Sequence, residues 1–246
     1  MELVLIHSPL VGPSFWLPVA EALAALGHRC HVPTAREANG GIVAWRHWPE
    51  RVRESVPSIT APILVGHSAA GDLLPICAQK LDAAALVFVD ASIPPASGHA
   101  APAEPEFLKF VRALPITGGR LPPWSEWWGE HAMAALIRDP TLRERFESDL
   151  PRLPIEWFDD VVPIPAWSAL PAGYLQTSQR YSSDADDARE RGWPTHVLHG
   201  THLHPMLEPS STAQALLAII GSRAIADRAS KTGGLIANPN ATRQDP

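Results

Sequence analysis

The run Pro-Ile-Leu-Val-Gly at residues 62–66 constrains this chain more than any other segment. It has no polar side chain on either face and is too short for a helix. It therefore reads as a strand covered on both sides, as in a parallel sheet between helices. It passes directly through His67, Ser68, Ala69, Ala70 and Gly71 into a helical segment predicted over 69–80. Equally apolar runs at 3–6 and 85–89 predict two more buried strands, and 29–32, 173–177 and 196–198 predict others. Helices are predicted between them. One spans 15–26, with Ser14 as its cap, Trp16, Val19, Ala20, Leu23 and Leu26 at helical spacing, and Gly27 at its end. Others cover 42–56, 184–191 and 209–220. Alternating β and α elements imply an α/β protein with a mostly parallel sheet and helices on both faces.

Length and composition fit one large domain. The chain has 246 residues, 46% of them hydrophobic, which is enough for a sizeable core. The net charge of −6, with no Lys/Arg-rich run, argues against nucleic-acid binding. No apolar stretch reaches the roughly 20 residues that cross a bilayer. The start, Glu2-Leu3-Val4-Leu5-Ile6, lacks the basic beginning of a signal peptide. Cys30 and Cys77 form no Cys-x-x-Cys pair, so a cytoplasmic location is expected. Half of the 26 prolines and five of the nine tryptophans fall between Pro94 and Pro171. This bias sets 95–170 apart as an insert in a core of 1–94 and 171–221. The polar residues 222–246 read as a mobile tail.

The turn at Ser68 carries the chemistry. A serine between a strand and a helix sits in a strained backbone conformation, so residues two positions away must be tiny, and here they are Gly66 and Ala70. The turn lifts the hydroxyl above the sheet's carboxyl edge, where α/β folds bind ligands. It also aims the Ala69 N–H at a developing oxyanion. Ser68 is the candidate nucleophile.

These features resemble the α/β-hydrolase superfamily, and within it the small bacterial hydrolases related to plant methyl-ester esterases and hydroxynitrile lyases. The resemblance covers residues 2–220. It rests on Val4-Leu5-Ile6-His7 with Trp16, on Gly27-His28, on Gly66-His67-Ser68, on Val87-Phe88-Val89-Asp90 with Pro94, and on His202 with Met206, Leu207 and Pro209. It implies the α/β-hydrolase fold with a helical cap over 95–170. The resemblance also implies a late catalytic histidine seven positions before a proline, a spacing that His202 meets with Pro209 and His204 does not. His199 is expected to lie still on the last strand. A metal at the His202-Leu203-His204 pair would lack an evident third ligand, so no metal or other cofactor is expected.

The chain departs from the family pattern twice. The orienting carboxylate usually follows the next-to-last strand, but Arg180 and Tyr181 stand there, and Asp184, Asp186 and Asp187 come later, on what reads as an exposed helix start. Some family members carry the acid after the preceding strand, which points to Asp90. The alternative is that Asp90 only caps its loop through the Ala91 and Ser92 amides. The loop after the first strand reads His7-Ser8-Pro9-Leu10, and Pro9 has no N–H at the usual oxyanion-donor position. Leu10 is the expected substitute beside Ala69. His7, Trp124, Trp127 and Trp128 are expected at the substrate. The implied activity is hydrolysis of a largely apolar small-molecule ester, lactone or thioester. A cofactor-free lyase or cyclase, or a non-catalytic ligand-binding protein, stays open.

Overall fold

The computed structural model describes residues 1–34, 43–101 and 103–225. Its strands are β1 (Glu2–Ile6), β2 (Arg29–His31), β3 (Ile63–His67), β4 (Ala85–Val89), β5 (Gly98–Ala100), β6 (Val162–Ile164), β7 (Ala172–Gln176) and β8 (Thr195–Val197). Its helices are α1 (Leu17–Ala25), α2 (Trp48–Glu54), α3 (Leu74–Leu81), α4 (Pro105–Arg112), α5 (Ala132–Leu136), α6 (Pro140–Ser148), α7 (Ser182–Glu190), α8 (His204–Leu207) and α9 (Pro209–Ile220). Six strands form one sheet in the order β2-β1-β3-β4-β7-β8, and every pairing is parallel.

Period-two alternation in the buried strands builds a core on each face. Val4, Ile6, Leu64, Leu86, Phe88 and Tyr174 face one side, with residues of α2 and α3. Leu3, Leu5, Val65, Val87, Val89 and Leu175 face the other, with residues of α1 and α9. The chain leaves the sheet after β4 and returns at β7. The insert between them contains α4, α5, α6 and a separate antiparallel pair, β5 with β6.

Several elements differ from the sequence expectation. Ser14 does not cap α1. It is buried in a 3₁₀ turn (Pro13–Phe15), and its N–H donates to Asp149 Oδ2 at 2.8 Å. Pro13 and Pro18 shape this entry, so the regular helix begins only at Leu17. The segment after β3 begins as a 3₁₀ helix (Ser68–Leu73) before α3, because the tight turn winds its first residues closely. The predicted helix over 42–56 is a 3₁₀ turn (Trp45–His47) followed by α2, and residue 42 lies outside the described residues. Ile225, inside the expected tail, is buried against the α9 face, while residues 226–246 lie outside the described residues. Among the described residues, no helix is long and apolar enough to cross a membrane.

Candidate active site

Ser68 begins the turn at the carboxyl end of β3 with φ of +57°, in the left-handed region that non-glycine residues rarely occupy. The neighbours explain why the chain tolerates it. A Cβ on Gly66 would lie 2.8 Å from Leu74 Cγ, and one on Gly71 would lie 2.3 Å from the Ser92 carbonyl oxygen. The turn therefore packs backbone against α3 and against the chain leaving β4.

Asp90, one residue beyond β4, is fully buried and has φ of +44°. Tyr174 on β7 clamps the next residue: its hydroxyl donates to the Ala91 carbonyl at 2.8 Å and accepts from the Ala91 N–H at 3.1 Å. The Asp90 side chain consequently turns toward the end of β7. Its Oδ1 accepts from the Thr177 and Ser178 amides at 2.9 and 2.8 Å. Its Oδ2 accepts from the Ser178 hydroxyl at 2.6 Å and pairs with His202 Nδ1 at 2.7 Å. The amides it caps are thus those of β7's end and not those of Ala91 and Ser92. Burial alone would raise the Asp90 carboxyl. Hydrogen bonding and attraction from His202 outweigh it, with help from Ser178 and Thr177, and hold the group below its ordinary range.

His202 lies on the loop between β8 and α8. Its ring centroid is 4.3 Å from that of His67 and 5.3 Å from that of Tyr181, the latter nearly parallel at 17°. His67 supports this arrangement: its Nε2 donates to the His202 carbonyl at 3.0 Å, and its other side stacks on Phe15 at 4.1 Å. Burial, and then the nearness of His202, push the His67 imidazole well below its ordinary pKa, so it stays neutral.

Ser68 and His202 open into one cavity of about 960 Å³. Trp124, Trp128, Phe107, Trp157 and Phe158 of the insert line it, opposite Pro9, Leu10 and Ala69 of the core. Asp72, Glu104 and Asp184 border it as well. Burial raises Asp72 to about 7; a hydrogen bond from Ser92 opposes this, and Asp184 and Glu104 reinforce it.

Some expected site residues stand elsewhere. His7 is buried, edge-on to Trp48 at 5.3 Å, with its Nδ1 donating to the Ser8 carbonyl at 2.8 Å, and it does not line the cavity. Trp127 also faces away: it is buried, and its indole N–H donates to the Pro122 carbonyl at 2.8 Å, while Trp124 and Trp128 reach the cavity. His199 lies beyond β8, which ends at Val197, and is exposed. His204 faces Ser211 at 3.3 Å. Asp184 is no exposed helix charge: it lines the cavity and accepts from the Ile93 N–H at 3.1 Å. Asp186 and Asp187 make outer ion pairs with Arg189 and Arg191. Leu10 borders the cavity, and its N–H reaches Ser8 Oγ at a long 3.4 Å.

Three neighbours went unassigned in the sequence reading. Ser178 binds Asp90, Asp72 sits one turn beyond Ser68, and the Tyr181 hydroxyl lies 3.2 Å from Ser68 Oγ. Tyr181 carried a usable signal, since it stands where related chains place their acid.

No family model matches the chain, and no curated protein matches it. Solved structures do. An extracellular alpha/beta-hydrolase from Paenibacillus species, described as sharing structural and functional homology with tobacco salicylic acid binding protein 2, superposes with a TM-score of 0.71 at 19% identity, covering 89% of this chain and 98% of its own. Polyneuridine aldehyde esterase gives 0.62 at 16% identity, with 89% and 98% covered. The pyrethroid hydrolase PytH gives 0.63 at 19% identity, with 89% and 97% covered. With its parallel six-stranded sheet, the strained serine turn after β3 and the insert after β4, the chain has the α/β-hydrolase fold.

Proposed function

We propose that this protein is a serine hydrolase that cleaves a carboxylic ester, lactone or thioester through an acyl-enzyme. The observation that carries the reading is the 2.7 Å contact between buried Asp90 and His202 Nδ1, in a cavity that the strained Ser68 turn also enters. A carboxylate on Nδ1 keeps the proton there. Nε2 is then free to accept the Ser68 proton as Oγ attacks the carbonyl carbon. Asp90 also stabilises the imidazolium that forms. His202 next gives its proton to the leaving oxygen or sulfur. A water then attacks the acyl group, passing its proton to Nε2, and Oγ takes that proton back as it departs. The Ala69 N–H and the Leu10 N–H are the oxyanion donors in this scheme, Leu10 standing in for the donor that Pro9 lacks. Apart from the substrate and that water, these steps use side chains and amides of the chain itself.

The esterase and pyrethroid hydrolase names among the structural neighbours support hydrolysis. The cavity supports a sizeable, largely apolar substrate, since its volume is at the upper end of the roughly 300–1,000 Å³ usual for ligand pockets. Its aromatic wall offers packing area for such a substrate.

The test is a fluorophosphonate probe with nitrophenyl butyrate as substrate. The probe should add one phosphonyl group to Ser68 and none to Ser68→Ala, and the variant should lose at least about 10³-fold in turnover with its thermal melt unchanged. A second reading, a cofactor-free lyase or cyclase, draws on Pro9 in the oxyanion loop. In that case wild-type protein would resist the probe.

A further inference from the structure

The scheme above leaves one half-buried hydroxyl beside the nucleophile without a task. Tyr181 ends the 3₁₀ turn (Gln179–Tyr181) after β7, and its hydroxyl lies 3.2 Å from Ser68 Oγ. Among the described residues, this is the hydrogen bond that Ser68 Oγ makes. The ring is held in place on two sides. It stacks on the His202 imidazole, and the Arg180 guanidinium sits 5.9 Å from its centroid while also lying over Phe107.

We propose that Tyr181 is a fourth catalytic residue, whose phenol donates a hydrogen bond to Ser68 Oγ and stabilises that oxygen as it leaves the acyl carbon. The proposal rests on the serine-hydrolase reading. Three observations give the direction of the bond and its target. Either hydroxyl could donate by geometry, but Ser68 has one proton, and the reaction sends it to His202. With Tyr181 donating, that proton is left free for the imidazole. Burial pushes the phenol above its ordinary pKa of 10, so it is neutral and carries its proton throughout the working range. The two oxyanion amides belong to the loop after β1 and the turn after β3, whereas Tyr181 comes from β7, across β4 on the other side of β3. Its contact is with Oγ itself, so it serves the nucleophile's own oxygen.

The effect falls mainly on deacylation. Water attacks the acyl carbon and gives its proton to His202 Nε2. The C–Oγ bond then breaks, its electron pair stays on Oγ, and Oγ recovers the proton from Nε2. Negative charge builds on Oγ in that step, and a donor already in place stabilises it without reorganisation. Tyr181 keeps its own proton from start to finish, so the balance of the reaction is unchanged.

The experiment compares wild-type, Tyr181→Phe and Ser68→Ala proteins with nitrophenyl butyrate in stopped-flow and steady-state assays. Tyr181→Phe removes one oxygen and keeps the stacked ring. It should lower kcat by about 10–10²-fold with KM falling alongside, because acyl-enzyme accumulates. The nitrophenol burst should approach one equivalent per active site. The fluorophosphonate probe should still label Ser68 in this variant, which also reports a folded site. An unchanged kcat overturns the proposal. So does a rise in KM alone, which marks a wall residue, and so does a lowered kcat without a burst, which puts the loss in acylation. Ser68→Ala separates the two ideas. If it stays active, the serine reading itself fails. If it is inactive while Tyr181→Phe turns over normally, only the role of Tyr181 fails.

Discussion

At the scale of single residues, the site depends on two that hold positive φ angles without being glycine, Ser68 and Asp90. Such conformations cost on the order of 1–3 kcal/mol each and persist only where the surroundings over-determine them. For Asp90 those surroundings are visible: Tyr174 clamps Ala91 from both sides, and four donors converge on the carboxylate. This arrangement makes Asp90→Asn informative. The asparagine oxygen is needed by the Thr177 and Ser178 amides, so its NH₂ must face His202 Nδ1. That forces Nδ1 to accept, places the imidazole proton on Nε2, and leaves nothing to take the Ser68 proton. Turnover should fall by about 10²–10⁴-fold with the fold retained. A variant within a few-fold of wild type would show that Asp90 only ties β4 to β7.

At the scale of elements, the decisive contact is between the turn after β3 and the chain leaving β4. These two segments carry Ser68 and Asp90, and Gly71 is where they touch. A methyl group there would meet the Ser92 carbonyl oxygen at 2.3 Å and the Ala91 Cβ at 3.0 Å. Backbone cannot yield as a side chain can, so Gly71→Ala should destabilise the protein by about 1–3 kcal/mol in urea unfolding and reduce turnover by displacing Asp90. Gly66→Ala is the control. Its methyl would meet Leu74 Cγ, Cδ1 and Cδ2 at 2.8–2.9 Å, a side chain and not backbone, so its unfolding midpoint should fall less. Equal midpoints would mean that the β4 exit adapts freely.

At the scale of the whole molecule, joining the insert to the core encloses carboxyl groups at a real cost. Asp72 stands at about 7 in the fold against an ordinary 3.8, because burial disfavours its charged form. The sign follows from linkage. Below pH 4 the group is neutral in both folded and unfolded chains and costs nothing. Between pH 4 and 7 the unfolded chain ionises first, so folding loses ground, and above pH 7 the full cost applies. Asp72→Asn keeps an acceptor for the Ser92 hydroxyl and removes the charge. It should stabilise the protein by on the order of 2 kcal/mol at pH 8, with the gain shrinking steadily toward pH 4. Thermal melts across that range check it. A gain that does not vary with pH would assign the effect to something other than ionisation of Asp72.

Much of the architecture was legible from the sequence because its causes are local. Solid apolar runs could only be buried strands, and β4 and α9 begin and end where those patterns change. The small residues around Ser68 marked a turn whose strain needs no knowledge of distant contacts. Asp90 stood out through the missing carboxylate at Arg180 and Tyr181. What only the tertiary structure decided were meetings across long stretches of chain. Asp90 and His202 are 112 residues apart, and Ser68 and Tyr181 are 113 apart. Composition could not tell which of three neighbouring tryptophans faces the cavity, since Trp127 turns inward on the Pro122 carbonyl while Trp124 and Trp128 do not. Nor could it show that His7 packs against Trp48 away from the cavity or that Asp184 reaches the pocket wall. The physical reason is the same in each case. Periodicity and turn chemistry act over a few residues and set which elements form, whereas the partner of a given side chain depends on how β4, β7 and the insert pack against each other in space.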